Sequence, residues 1–394
     1  MTKLEQLIEA YCPNGVTFKT LGELGQFFGG ITGKSKEDFI DGTAKFITYK
    51  NVYSNPALEI DIDDRVKIAV GEKQHSLQYG DIIFTGSSET PEECGFSSVV
   101  TVNTSEELYL NSFCFFFRFY DLSIMLPDFA KHLFRSSNLR KQICKTASGV
   151  TRFNVSKKKM ENVIIPLPPL PLQSEIVRIL DNFTELTTEL TTELTARQQQ
   201  YDYYRNDLLV FDDNVPVCRL EDIADIGTGS SNTNEGLEEG EYPFFVRSPE
   251  VLRKNEYEFD ETAIITAGDG VGVGKVFHYV DGKYALHQRA YRIHINTPKV
   301  LPRFFFHYMR ATFLPYIQKN MYQGAVASIR RPMLNAYPVP IPPIAEQVRI
   351  AGILDRFDAL CNDITEGLPV EIEARQKQYE FYRDKLLTFK ERVD

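Results

Sequence analysis

Two stretches of the chain carry apolar residues at helical spacing. From Ile176 the apolar positions fall at 176, 180, 183, 190, 194, 201, 204 and 208, a run interrupted by Thr187 and Arg197. From Ile350 they fall at 350, 354, 357, 361, 364, 368, 372, 379, 382 and 386. Steps of three and four sustained over this length predict two helices with coiled-coil seams. The proline clusters Pro166-Leu-Pro-Pro-Leu170 and Pro340-Ile-Pro-Pro-Ile344 precede them. Proline ends the preceding strand and permits a clean helix start, and Gly367-Leu-Pro369 predicts an interruption of the second helix. At about 1.5 Å per residue the two stretches make rods of roughly 55–70 Å. Two matching stripes favour an antiparallel pair, so a block between the helices leaves and returns at one end. Elsewhere the pattern is β-rich, with runs at Asp81-Ile-Ile-Phe84, Ser112–Phe119, Ala263-Ile-Ile-Thr266 and Tyr284–Ile295, and helix near Pro127–Ser137 and Leu301–Lys319.

The two halves repeat. Arg197-Gln-Gln-Gln-Tyr-Asp-Tyr-Tyr-Arg-Asn-Asp-Leu-Leu-Val-Phe211 returns 178 positions on as Arg375-Gln-Lys-Gln-Tyr-Glu-Phe-Tyr-Arg-Asp-Lys-Leu-Leu-Thr-Phe389. The proline clusters, with Gln173, Ile176, Ile179, Leu180 and Asp181, match their counterparts, Gln347, Ile350, Ile353, Leu354 and Asp355 among them, at an offset of 174. A weaker echo joins Val16, Phe18, Leu21 and Leu24 to Val215, Val217, Leu220 and Ile223 and sets Gly30 opposite Gly229. Repetition at this scale decides architecture before any local motif does. The fold class expected is α+β: an N-terminal helix (1–12), two mixed globular blocks (13–165 and 214–340), and two shared helical stretches (166–213 and 341–394) pairing as an antiparallel coiled coil.

Composition changes that picture little until charge is mapped. The chain has 394 residues, 43% of them hydrophobic and 25% charged, as folded proteins of two or more domains do. No apolar run reaches the roughly 18 residues of a membrane span and Met1–Cys12 is charged, so a cytoplasmic protein without a membrane partner is expected. The six cysteines form no C-x-x-C pair and read as reduced thiols. A net charge of −10 argues, as an average, against nucleic acid. The average hides two basic tracts. Between Lys131 and Met160, and again between Gly282 and Ala345, nine Lys and Arg occur with no Asp or Glu. Two such tracts at equivalent places favour phosphate contacts, which need a local positive field whatever the net charge.

Catalytic signatures are missing from the sequence. Gly29-Gly-Ile-Thr-Gly-Lys-Ser35 has Phe28 where a phosphate loop needs glycine, and Gly268-Asp-Gly-Val-Gly-Val-Gly274 lacks a following helix and reads as a loop that approaches something closely. The six histidines make no i,i+4 metal pair. His287-Gln-Arg289 reads equally as a presenter of donors to a base edge and as a buried turn. An adenine methyltransferase's Asn/Asp-Pro-Pro motif and helicase or nuclease signatures are absent.

The proline-rich helix starts, the Gln173/Gln347 and Ile-x-x-Ile-Leu sequences, the twin Arg-Gln-x-Gln-Tyr-x-x-Tyr-Arg endings, and Thr184-Glu-Leu followed by two Thr-Thr-Glu-Leu units together resemble the specificity (S) subunit of type I restriction-modification systems, in its subgroup with a Thr-x-Glu-Leu spacer. The resemblance covers essentially the whole chain. It implies a non-catalytic reader of double-stranded DNA, each globular block being a target recognition domain for one half of a split, asymmetric site. It implies two methyltransferase (M) subunits docked on the shared helices, and restriction/translocase (R) subunits. S-adenosylmethionine, ATP and Mg would belong to those partners, with no cofactor in this chain. A stand-alone DNA methyltransferase and a coiled-coil adaptor that never touches DNA are the alternatives.

On that reading the candidate DNA contacts of the first domain are Lys34 and Lys36 in the glycine-rich loop, Lys145 and Arg152 for phosphates, and Ser87, Ser88 and Thr90 for base edges or sugars. Those of the second are Gln288, Arg289, Arg330 and Arg331. Tyr201, Tyr204, Arg205, Tyr379, Tyr382 and Arg383 serve the shared scaffold, by internal helix packing or by partner docking. Asp181 and Arg197 enclose 15 residues and Asp355 and Arg375 enclose 19, a difference of one tetrapeptide. One tetrapeptide advances a helix by about 6 Å and about 400°, which at about 3.4 Å per base pair corresponds to one or two base pairs of separation.

Overall fold

The computed structural model describes residues 3–320, 328–362 and 367–392. Helix α1 spans Lys3–Tyr11, α2 Pro127–Leu133, α3 Leu170–Leu208, α4 Pro302–Asn320, α5 Ile344–Asn362 and α6 Leu368–Leu386. α3 and α5 each start at the last residue of their proline cluster, Leu170 and Ile344, as expected where proline ends the preceding strand. The second helical stretch is divided at Gly367-Leu-Pro369, with α5 ending at Asn362 and α6 starting at Leu368. In α3 the threonine-rich run stays helical. The hydroxyls of Thr184, Thr187, Thr188 and Thr195 each donate to the carbonyl four residues back, at 2.9–3.2 Å.

The chain divides into two units, residues 1–189 with 372–394, and residues 190–371. The division falls within the helices. Stretches 166–213 and 341–394 therefore form no unit of their own, and each unit owns part of both.

The first unit is built on β1 (Thr17–Thr20), β2 (Gly25–Gly29), β3 (Ile82–Thr85), β4 (Ser97–Val99), β5 (Cys114–Phe119) and β6 (Ile164–Leu167). The second uses β7 (Val217–Arg219), β8 (Ala224–Thr228), β9 (Phe259–Ala267), β10 (Phe277–Leu286), β11 (Ala290–Ile295) and β12 (Pro338–Pro340). Their topologies agree. The antiparallel order β2-β5-β3-β4 recurs as β8-β11-β9-β10, and the pair β1-β6 recurs as β7-β12. Beside each sheet lies one parallel pairing, of residues 44–47 with 108–110 and of residues 242–245 with the end of β10. The predicted strand Tyr284–Ile295 is in fact two, β10 and β11, parted by a turn at His287–Arg289.

The central strands are apolar on consecutive positions because both sheet faces are covered. Phe84 and Phe117 pack on one side with Phe129 and Phe134, while Ile83 and Phe116 pack on the other with Leu108 and Leu110. In β9, Ile264 joins one core with Phe305 and Phe313, and Ala263 and Ile265 another with Tyr284. This alternation is the two-residue period of a strand. The six cysteines are free thiols, and burial pushes that of Cys114 up to about 12.

Each unit ties the starts of two helices together by the same polar device. The Gln173 side chain, fully buried, accepts from the Leu126 N–H (2.8 Å) and donates to the carbonyls of Ile124 (2.9 Å) and Pro168 (2.7 Å). Gln347 accepts from the Leu301 N–H (2.7 Å) and donates to the carbonyls of Lys299 and Pro342 (both 2.8 Å). About two turns further along α3 and α5, His132 meets Asp181 and His307 meets Asp355, each through Nε2 at 2.7 Å. The Nδ1 of His132 takes the Tyr379 hydroxyl at 2.9 Å, whereas that of His307 has no partner among the described residues.

The scaffold aromatics pack internally. Tyr382 stacks on Phe183 (5.2 Å, 19°) in the first unit and Tyr204 on Phe357 (5.5 Å, 28°) in the second. Arg383 stands over Tyr379 at 5.6 Å and Arg205 over Tyr201 at 5.4 Å. In the second unit α3 and α5 run antiparallel, Tyr201 lying against Phe357 while Leu209 shares a cluster with Ile350.

Candidate nucleic-acid interface

The glycines that the sequence echo aligned are where each unit folds most tightly. A Cβ on Gly30 would lie 2.1 Å from the Asn111 carbonyl oxygen, and one on Gly229 would lie 1.8 Å from that of Leu286. Only a residue without a side chain fits. A second pair does the same, Gly86 at 2.6 Å from the Phe113 carbonyl oxygen and Gly268 at 2.6 Å from that of Arg289.

These glycines enclose one turn in two versions. In the first unit, the Asn111 N–H donates to Ile47, the Cys114 N–H to the Asn111 carbonyl, the Gly86 N–H to the Phe113 carbonyl, and the Phe113 N–H to Asn111 Oδ1. In the second, the His287 N–H donates to Phe245, the Ala290 N–H to the His287 carbonyl, the Gly268 N–H to the Arg289 carbonyl, and the Arg289 N–H to His287 Nδ1. Burial, aided by nearby Arg247, holds the His287 imidazole below its ordinary pKa, so Nδ1 stays an acceptor. The backbone is the same. The two side chains at the tip are Ser112 and Phe113 in one case, Gln288 and Arg289 in the other.

Phe113 is 58% exposed and separates two open clefts of about 520 and 620 Å³. Ser87, Ser88 and Arg152 line the first cleft and Lys34 the second. Arg152 is exposed, donates to Ser87 Oγ at 3.1 Å and stands 5.7 Å from the Phe113 ring. Ser88 and Thr90 both donate to the Glu93 carboxylate at 3.0 Å. The Tyr53 hydroxyl joins them at 2.9 Å, and the three bonds hold the Glu93 carboxyl below the usual range.

Lys34 is engaged within its own unit. Its side chain is 8% exposed, and Nζ bonds Glu72 and the Lys67 carbonyl, both at 2.6 Å. Lys36 and Lys145 are exposed without an ion pair among the described residues, but nothing gathers them into the Phe113 cluster. Gln288 and Arg289 are exposed, Gln288 donating to Asn232 Oδ1 and Arg289 to Asp269 Oδ2 at 3.3 Å. Arg330 is exposed just before the helical turn Arg331–Asn335, and Arg331 donates to the Ile226 carbonyl at 2.7 Å.

The acid-free tracts are not uniformly free charge. Lys131 pairs with Asp181, Arg292 with Glu261, Arg303 with Asp355 and Arg310 with Asp358, while Arg135 and Arg140 donate to backbone carbonyls. Their partners lie outside the tracts in sequence, and folding supplies them. Lys141, Lys145, Arg152, Lys157, Lys158 and Lys159 remain exposed.

Residue-type patterns passed over Asn111, Phe113, Arg247 and Asp269. One repeat holds a signal that would have found the equivalent elements. Leu126-Pro-x-Phe-x-x-His132 recurs as Leu301-Pro-x-Phe-x-x-His307 at an offset of 175. Among the described residues no three of His, Cys, Asp and Glu group so as to hold a metal, and no helix is long and apolar enough to cross a membrane.

The structure resembles, with a TM-score of 0.61, the type I restriction-modification system S subunit from M. genitalium, over 94% of this chain and 96% of that one, at 14% identity. A putative type I restriction enzyme specificity subunit of Haemophilus influenzae is 34% identical over 268 residues, covering 61% of this chain and 68% of its own length. The EcoR124I/EcoR124II specificity subunit of Escherichia coli is 37% identical over 266 residues, covering 60% of this chain and 64% of that protein. The family model for the type I restriction modification DNA specificity domain matches twice, at residues 13–197 and 212–374. The chain therefore belongs to the family of type I restriction-modification specificity subunits.

Proposed function

We propose that this chain is the DNA-reading, non-catalytic subunit of a type I restriction-modification complex. Each unit binds one half of a bipartite, asymmetric double-stranded site, and the paired helices set the distance between the halves in the manner of a Thr-x-Glu-Leu spacer. Two methyltransferase subunits and the restriction/translocase subunits supply the chemistry, with S-adenosylmethionine, ATP and Mg bound in them. The observation that carries this reading is the duplicated turn, a rigid backbone presenting different exposed side chains in the two units. Base edges in the major groove are distinguished by donor and acceptor patterns, so a reader needs varied side chains on an invariant, hydrogen-bonded support. The exposed Lys145, Arg152 and Lys157–Lys159 supply phosphate contacts for the first unit.

The test is to co-express the full chain with the methyltransferase subunit and map modified adenines genome-wide. A split motif with two dissimilar halves and a fixed unspecified gap is the expected result. A continuous motif, or methylation that does not need this chain, overturns the reading.

A further inference from the structure

The second unit's turn carries an arginine built into a charge cluster. The Arg289 side chain is 62% exposed, yet its Nη1 meets Asp269 Oδ2 at 3.3 Å, and the other oxygen of that carboxylate accepts from Arg247 Nη1 at 2.5 Å. Asp269 directly follows Gly268, whose N–H holds the Arg289 carbonyl, so the carboxylate and the turn are fixed to one another by backbone. Beneath them the buried His287 pins the Arg289 amide, and the Gln288 N–H donates to the Ser231 carbonyl. The backbone of the turn has little freedom left.

An arginine whose one edge is anchored by a carboxylate still offers N–H groups on its other edge. These suit two acceptors side by side, which a guanine presents in the major groove as O6 and N7. A phosphate is the poorer match, because Asp269 places a negative charge directly behind the guanidinium. The first unit supplies the contrast. There the residue after the equivalent glycine is Ser87, the tip is Phe113, and Ser87 accepts from Arg152.

We propose that Arg289 is a specificity-determining residue that reads a guanine in the half-site bound by the second unit, and that Asp269 positions it. The proposal rests on the DNA-reading function given above.

The experiment uses the full chain co-purified with its methyltransferase subunit and a random-sequence double-stranded DNA library. The wild-type complex is expected to select a bipartite motif with an invariant guanine in one half. Arg289→Ala is expected to keep the gap and every other position while losing preference at that base pair, with about 10- to 100-fold weaker binding to the parent site. Asp269→Asn, which leaves the arginine but weakens its anchor, is expected to relax the same position only. Arg289 is exposed, so folding is not at issue. Thermal melting of each variant confirms it.

If Arg289→Ala weakens binding equally for all sequences and lowers the salt slope by about one, the residue contacts phosphate and the proposal falls while the DNA-reading function stands. An unchanged motif overturns it too. A wild-type complex that selects no sequence at all takes down the functional reading and this proposal with it.

Discussion

Gln173→Met removes the polar end of a fully buried side chain while keeping its length. Three backbone groups then lose their partner, the Leu126 N–H and the carbonyls of Ile124 and Pro168. An unsatisfied buried group costs about 1–3 kcal/mol. The Leu126 N–H lies at the start of α2 and the Pro168 carbonyl lies just before α3, so the loss loosens the two helix starts from one another. Summed over the three groups, with the carbonyls at the low end because each keeps a second lone pair, the loss is about 4 kcal/mol. For a unit near 200 residues that lowers the melting temperature by roughly 8–16 °C. Gln347→Met breaks the equivalent set in the second unit and should cost about the same. Thermal unfolding of the full chain by circular dichroism gives the magnitude. Amide exchange gives the location, with residues 126–134 losing protection in the first variant and 301–309 in the second. A melting shift under about 2 °C in either variant would refute the idea that these glutamines clamp the helices.

The tight glycines give a second test: Gly30→Ala and Gly229→Ala force a Cβ onto a backbone oxygen and should unfold the neighbouring turn, whereas Gly33→Ala meets nothing and bears only the strain of φ +70°, about 1 kcal/mol. Melting curves of the three variants separate the two effects. Stability should also fall as the pH drops below about 6.5. Burial, as the largest cause, holds His132, His278, His287 and His307 below their ordinary value, so the unfolded chain takes up protons near pH 6.5 that the folded chain refuses. Above that pH the contribution is fully present. The hydrogen-bonded carboxylates Glu72 and Glu175, held at about 2, lose their stabilisation only once the pH falls below the unfolded carboxylate range, so they do not account for this window. Urea midpoints across the range should drop, and drop less in His132→Gln. Inserting or deleting one Thr-Thr-Glu-Leu unit in α3 should change the unspecified gap of the methylated motif by one or two base pairs and leave both halves intact. An unchanged gap in the methylome would count against the spacer.

The repeat, the helical stretches and their proline starts were legible because they depend on local rules, namely helical periodicity and proline's missing N–H. So were the buried runs at Ile82-Ile-Phe84 and Ala263-Ile-Ile265. The turn at His287–Arg289 was legible only as one of two equal readings, because what fixes the reversal there is the bonds to the Ser231 and Phe245 carbonyls, over 40 residues away in sequence. Lys34 shows a related limit. A lysine after Gly29-Gly-Ile-Thr-Gly has the look of a phosphate ligand, and its real partner Glu72 lies 38 residues on. The basic tracts show the same limit. Pairing is decided by the fold, and Arg303 and Arg310 find their acids on α5, about 50 residues along the chain.

What the two units share and what they do not follows a single physical division. The groups that repeat are hydrogen-bonded or closely packed: the buried Gln173 with Gln347 and His132 with His307, Gly30 with Gly229 against a backbone oxygen, and the amides of the turn. Changing any of them leaves an unpaired polar group or an overlap in the interior, at several kcal/mol. The groups that differ, Ser112 and Phe113 against Gln288 and Arg289, are at the exposed tip of that turn, where substitutions typically alter stability by less than about 0.5 kcal/mol. A duplicated scaffold of this kind can therefore change what one half reads without endangering the fold of either. The supporting residue changes in step, Ser87 beneath a phenylalanine and Asp269 beneath an arginine, because a charged tip needs a charged anchor and an apolar one does not.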